Sequence, residues 1–94
     1  MPQILLSDFA VEQLTALPAA VGRPLLDSLQ RLRLFPQSAP LLMLEGYDNY
    51  RQLIVQSHRA IYQYDEGEDV VRLYCTLHTR RRILSAEFLI HQQF

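Results

Sequence analysis

Residues 59–78, RAIYQYDEGEDVVRLYCTLH, decide how this chain folds. Two runs rich in β-branched and aromatic residues flank the short polar stretch Glu66-Gly67-Glu68-Asp69, which is the composition of two strands and their loop. The loop reads as a hairpin turn, with Gly67 available for a positive φ. Setting Asp65 opposite Val70 places Tyr64 opposite Val71, Tyr62 opposite Leu73 and Ala60 opposite Cys75, one coherent apolar face. The other face then pairs Gln63 with Arg72, Ile61 with Tyr74 and Arg59 with Thr76, with His78 just beyond.

Outward from this hairpin, YRQLIVQ (50–56) reads as a third strand, joined through a turn at Gln56-Ser57. A two-residue turn there sends Arg51 to the apolar face, whereas a one-residue bulge brings it alongside Arg59. LLML (41–44) is a short strand candidate that ends at Gly46. Toward the N-terminus, Ile4-Leu5-Leu6 fits a brief strand, and Ser7 or Asp8 suits the cap of a helix from about residue 8 to 16. Pro18 breaks that helix or starts a second, in which Val21, Leu25, Leu29 and Leu32 recur at helical spacing. Gly22 and Pro24 weaken its first turns, so the regular part is expected from near Arg23, and Pro36 stops it after Phe35. Toward the C-terminus, Ser85 can cap a short helix, AEFLIHQQF, that docks Phe88 and Leu89 on the sheet. The expected fold is α+β in a single domain, residues 1–94: an N-terminal helical hairpin packed on a small antiparallel sheet, with a short C-terminal helix.

Composition narrows the function classes. With 94 residues the core is modest, so packing against a partner is a natural supplement. A net charge of −1 argues against indiscriminate nucleic-acid binding. No apolar run approaches the length of a membrane span, and MPQILLSDFA has neither the basic start nor the apolar stretch of a signal peptide. Cys75 is the only cysteine, which excludes an internal disulfide and fits a reducing cytoplasm.

The overall charge hides a split. Asp65, Glu66, Glu68 and Asp69 crowd the hairpin loop, while the rest of residues 50–94 carries Arg51, Arg59, Arg72, Arg80, Arg81 and Arg82 against the single acid Glu87. On the register above, Arg59 and Arg80–Arg82 share one sheet end and the acidic tip lies roughly 25–30 Å away, at the rise of a strand. Three consecutive arginines can be a solvated turn, and Arg51 or Arg59 can be members of surface ion pairs, which contribute little. They can equally form a surface that grips phosphate or carboxylate groups. His78 suits a hydrogen-bonded strand end better than a catalytic role. His58, His78, His91 and Cys75 lack zinc-type spacing, so no metal and no cofactor is expected. Cys75, facing the core, is no nucleophile. Tyr62, Tyr64 and Tyr74 could stack on bases, but two of them belong to the apolar face.

The helical hairpin beginning near LPAAV, then YRQLIVQSHRAIY, then DVVRLYCTLHTRRRIL, resembles the RelE/ParE toxin superfamily of type II toxin–antitoxin modules over nearly the whole chain. The sharpest elements are the YR…L.V strand, HRAIY and a closing LHTRR. The resemblance implies a cytoplasmic toxin neutralised by a cognate antitoxin in a hetero-oligomer, the arrangement associated with plasmid stabilization. In the RelE branch it implies a ribosome-dependent mRNA endoribonuclease that sets a 2′-hydroxyl against the adjacent phosphate; Arg51, Arg59 and Arg80 or Arg81 then fall at its basic positions, with His78 or His91 available as a substitute acid. Two departures weigh against that branch: Leu53 occupies a lysine-like position, and no tyrosine follows Tyr74. The SH…Y and LHTRR segments look more like the ParE branch, whose characterised members inhibit DNA gyrase by binding it, here through Arg51, Arg59, Arg80, Arg81 and Arg82. A third reading is a degenerate member that only binds its antitoxin.

Overall fold

The computed structural model describes residues 1–94. Four strands and three helices follow one another as β1 (Gln3–Leu6), α1 (Asp8–Ala16), α2 (Ala19–Arg31), β2 (Tyr50–Val55), β3 (His58–Asp65), β4 (Val70–His78) and α3 (Ala86–Ile90). The sheet order is β1-β4-β3-β2. The two hairpins are antiparallel as expected, but β1 joins β4 in parallel, so the sheet is mixed rather than wholly antiparallel. No helix is long and apolar enough to cross a membrane.

Helix boundaries follow local chemistry. Ser7 caps α1, its Oγ accepting from the Ala10 amide at 3.0 Å. Pro18 stands at the N-cap of α2, which starts at Ala19, earlier than the expected Arg23, because Pro24 falls where its missing N–H deprives only the carbonyl of exposed Ala20. Past Arg31 the backbone tightens: the amides of Leu32, Arg33 and Leu34 bond three residues back, so the regular helix ends short of Phe35. LLML does not form a strand. Its start only flanks β2, with Leu41 bridging Arg51, the Leu42 amide donating to the Tyr50 carbonyl (2.8 Å) and the Gln52 amide to the Pro40 carbonyl (2.9 Å). The last helix stops at Ile90 rather than running to Phe94.

Apolar residues bury on both sheet faces. On one side Leu25 and Leu29 of α2, Leu32 just after it and Ala10 of α1 pack with Ala60, Tyr62, Val71 and Leu73. On the other, Leu89 of α3 packs with Tyr50, Ile61, Tyr74, Cys75 and Leu77.

A β-bulge separates the two halves of the β3–β4 hairpin. The expected pairs hold from Asp65–Val70 to Tyr62–Leu73; then Ile61 pairs with Cys75, Ala60 with Thr76, Arg59 with Leu77 and His58 with His78, leaving Tyr74 as the extra residue. The expected pairs Ile61–Tyr74, Ala60–Cys75 and Arg59–Thr76 are thereby corrected, and every β4 side chain beyond Tyr74 changes face. The cause lies at the neighbouring edge. β1 ends at Leu6, level with Leu73, and two side chains continue where it stops: Ser7 Oγ donates to the Tyr74 carbonyl at 2.7 Å, and Gln13 Oε1 accepts from the Thr76 amide at 2.8 Å. Ser7 is fully buried and serves both the helix cap and the bulge. Ser7→Ala is therefore expected to lose about 2–3 kcal/mol of stability, the sum of a lost cap and an orphaned buried carbonyl, read as a lower midpoint in urea unfolding. A loss below about 0.5 kcal/mol would show that the bulge does not depend on this hydroxyl.

Candidate functional site

The arginines gather at the end of the sheet where β3 begins and β4 finishes. After His78 the chain turns back: the Thr79 amide donates to the Ser57 carbonyl (2.8 Å), the Arg81 amide to the His78 carbonyl (2.9 Å), and the Arg80 amide to His78 Nδ1 (3.1 Å). Arg80, Arg81 and Arg82 emerge from this turn exposed to solvent. Only Arg72 forms ion pairs in the chain, at the opposite tip, with Asp65 and Glu68, so the three turn arginines have no acidic partner.

Arg59 does join them, but not as a free cation. Its Nη2 donates to the carbonyls of Thr79 (2.8 Å) and Arg81, and its Nη1 donates to Gln52 Oε1 at 2.9 Å. Gln52 and Arg59 are diagonal neighbours on one face of the β2–β3 pair, which is why a side chain as short as glutamine reaches.

Arg51 lies elsewhere. The Gln56-Ser57 turn has two residues and Gln56 takes a positive φ of 55°, so Arg51 pairs with Tyr62 and shares its face, opposite Arg59. There it donates to the carbonyls of Gln37 (3.2 Å) and Ala39 (2.7 Å), fastening the segment after α2 to the sheet.

His78 also leaves the expected position. The bulge sets it opposite His58, on the face of Ala60 and Tyr62, with the two rings edge to face at 5.3 Å. Because Nδ1 of His78 accepts the Arg80 amide, the neutral ring carries its proton on Nε2. His91 caps the C-terminal end of α3, with Nδ1 against the Glu87 carbonyl at 2.8 Å. Glu87 lines a cleft of about 410 Å³ between α3 and the sheet, together with Asp48, Tyr50, Gln63 and Tyr74. Arg81 and Arg82 instead border a separate hollow of about 400 Å³ beside Phe9 and Leu77.

The remaining reactive groups are structural in their surroundings. Cys75, fully buried, has its thiol pushed up to about 12 by burial, so no thiolate is available. Because of the bulge it faces the α3 side rather than the helical hairpin. No three His, Cys, Asp or Glu residues come together in a way that could hold a metal ion. Tyr62 and Tyr74 are buried, so neither offers an open ring for stacking on a base, while the half-buried Tyr64 donates to Asp69 Oδ1 (2.7 Å) at the acidic tip, away from the arginine turn. At the acidic tip the positive φ falls on Asp69 (54°) rather than Gly67, a conformation that aspartate tolerates. Asp65 there has its carboxyl held below the usual range by the Glu68 amide and by Arg72.

Gln52 was absent from the expected site. Its period-two spacing from Tyr50 and Ile54 marks its face, but nothing in the sequence marks Arg59 as its partner.

A sequence model of the family described as the ParE toxin of the type II toxin–antitoxin system, parDE, matches residues 4–83. Among solved structures, the chain is similar to one in the E. coli RelBE toxin–antitoxin complex, with TM-score 0.74 and 18% identity over 86% of this chain and 100% of that one. It is also similar to a chain of the RelBE2 complex from Mycobacterium tuberculosis (TM-score 0.73, 17% identity, 83% and 99% covered). A third likeness is to the archaeal RelE–RelB complex from Pyrococcus horikoshii OT3 (TM-score 0.68, 20% identity, 86% and 98% covered). At these identities the structural likenesses show the fold alone. No curated protein sequence matches the chain. The family match spans most of the chain, and the chain belongs to this ParE toxin family, within the RelE/ParE superfamily of type II toxin–antitoxin toxins.

Proposed function

We propose that this toxin acts in the ParE manner, by binding DNA gyrase through the exposed Arg80–Arg82 turn, and that a cognate antitoxin neutralises it in a hetero-oligomer. The observation that carries this reading is the company the arginines keep. Cleavage through a 2′-hydroxyl requires one group to take a proton and another to protonate the leaving oxygen, each contributing about 10²–10⁴-fold. Arginine remains protonated and supplies neither. His78 touches the turn only through Nδ1, which accepts the Arg80 amide, and its ring is on the opposite sheet face from Arg59; Glu87 lines a different cleft from Arg81 and Arg82. A surface of three unpaired guanidinium groups suits carboxylates or phosphates on a large partner. The antitoxin is expected to fold a flexible segment onto the domain, where the chain's own core is modest.

Purified toxin is expected to inhibit supercoiling by gyrase, with relief on adding the antitoxin, and to produce no new mRNA ends in primer extension on translating ribosomes. Ribosome-dependent cuts without gyrase inhibition would overturn the reading in favour of the endoribonuclease. His78→Ala then identifies whether the His58–His78 pair supplies the acid. Antitoxin binding with neither activity would mark a binding-only member.

A further inference from the structure

We infer that Arg59 is a positioning residue that latches the Arg80–Arg82 turn in its presenting conformation, and that it does not itself touch the target. This rests on the turn being the target-binding surface. A guanidinium has five N–H donors. Both donors on Nη2 are taken by the carbonyls of Thr79 and Arg81, one on Nη1 is taken by Gln52 Oε1, and the Nε–H is buried with no partner. One donor is left, on a half-buried side chain whose charged end points into its own backbone. A docking carboxylate or phosphate meets Arg80, Arg81 and Arg82 first, since those three are exposed.

The two carbonyls show what the latch holds. Thr79 and Arg81 bracket Arg80, so one planar fork fixes the Thr79–Arg80 and Arg81–Arg82 peptide units, the first and last of the turn. The turn follows the last strand residue, His78, and its other ties are three backbone amides: Thr79 to Ser57, Arg80 to His78 Nδ1 and Arg81 to the His78 carbonyl. No helix or strand covers residues 79–82. Exposed turns with few buried contacts open easily, and a ligand that needs one conformation binds in proportion to its population. Lysine keeps the positive charge but lacks the planar two-pronged geometry. Arg59→Lys therefore separates a latch from a charge.

The test uses the toxin refolded after release from its antitoxin, with growth arrest and gyrase inhibition as activity readouts. Amide hydrogen exchange at Thr79, Arg80 and Arg81 reports the turn. Arg59→Lys is expected to speed exchange at these amides by about tenfold and to weaken inhibition about as much, with an unchanged salt dependence. Gln52→Leu, which removes one acceptor of the fork and no charge, should give a smaller effect of the same kind. Arg80→Gln should do the reverse: unchanged exchange, weaker binding and a shallower salt dependence, as expected of a contact residue. Full protection with lost activity in Arg59→Lys would make Arg59 a direct contact and overturn the inference. Loosened amides with full activity would overturn it too, because the latch would then be irrelevant to binding. If the wild-type toxin neither arrests growth nor inhibits gyrase, the proposed function fails, while unchanged exchange in Arg59→Lys would still refute the latch and faster exchange would support it.

Discussion

Cells producing the toxin with Arg80, Arg81 and Arg82 all changed to Ala are expected to grow normally, although the protein folds as before. These side chains are exposed and take part in no ion pair, so their removal should alter stability by less than about 0.5 kcal/mol. The carbonyls of Thr79 and Arg81 that Arg59 engages are backbone groups and survive the change. What disappears is the capacity for charge-assisted contacts, each contributing about 1.5 kcal/mol or more. Losing two of them weakens target binding roughly a hundredfold, and losing all three more. Growth arrest on induction and circular dichroism of the purified variant provide the check. Arrest that persists with an unchanged spectrum would remove this turn from the toxic mechanism.

The largest expected loss of stability comes from Tyr62→Ala. Tyr62 is fully buried at the centre of the helix-side core, and its hydroxyl donates to the Pro36 carbonyl at 2.8 Å, pinning the chain just after α2. Truncation removes the ring, leaves a cavity and orphans that carbonyl, at a cost of about 3–5 kcal/mol. A domain of this size has a total stability of roughly 5–14 kcal/mol, so the variant should melt at least about 15 °C lower or fail to accumulate. Tyr62→Phe keeps the ring and loses only the hydrogen bond, about 1 kcal/mol. The two variants together divide the side chain into its packing and its tether. Near-equal losses in both would place the energy in the hydroxyl and contradict a packed ring.

The hairpin and its acidic loop were legible because alternation with a period of two is a property of neighbouring residues. Asp65 opposite Val70 and Tyr62 opposite Leu73 follow from it directly. Helix α1 was equally local: Ser7 caps it and Pro18 begins the next. The run of arginines was visible as a run, and its exposure agrees with a solvated turn and with a binding surface alike. The three-residue turn of Leu32–Leu34 was not legible, since the same apolar spacing serves a regular helix and a tightened one.

By itself, then, the sequence determined the strands β1 to β4 (though it also suggested LLML), the presence of two helices between β1 and β2, and the half of the β3–β4 register next to the loop. The sequence also placed Arg59 and the Arg80–Arg82 run at one sheet end, but tertiary structure alone decided that Arg51 and the His78 ring stand apart from them. The bulge at Tyr74 arises because β1 stops at Leu6 and side chains from Ser7 and Gln13, 67 and 63 residues before their partners in the chain, take over the edge of β4. That one extra residue turned His78 away from Arg59, and the two-residue turn at Gln56-Ser57 did the same to Arg51. Side-chain direction along a strand flips with every residue, so a single insertion set by a distant contact reverses everything downstream of it. Arg59 came to hold the turn for the same reason: its hydrogen-bond partners, Gln52, Thr79 and Arg81, are brought together only by the folded sheet end.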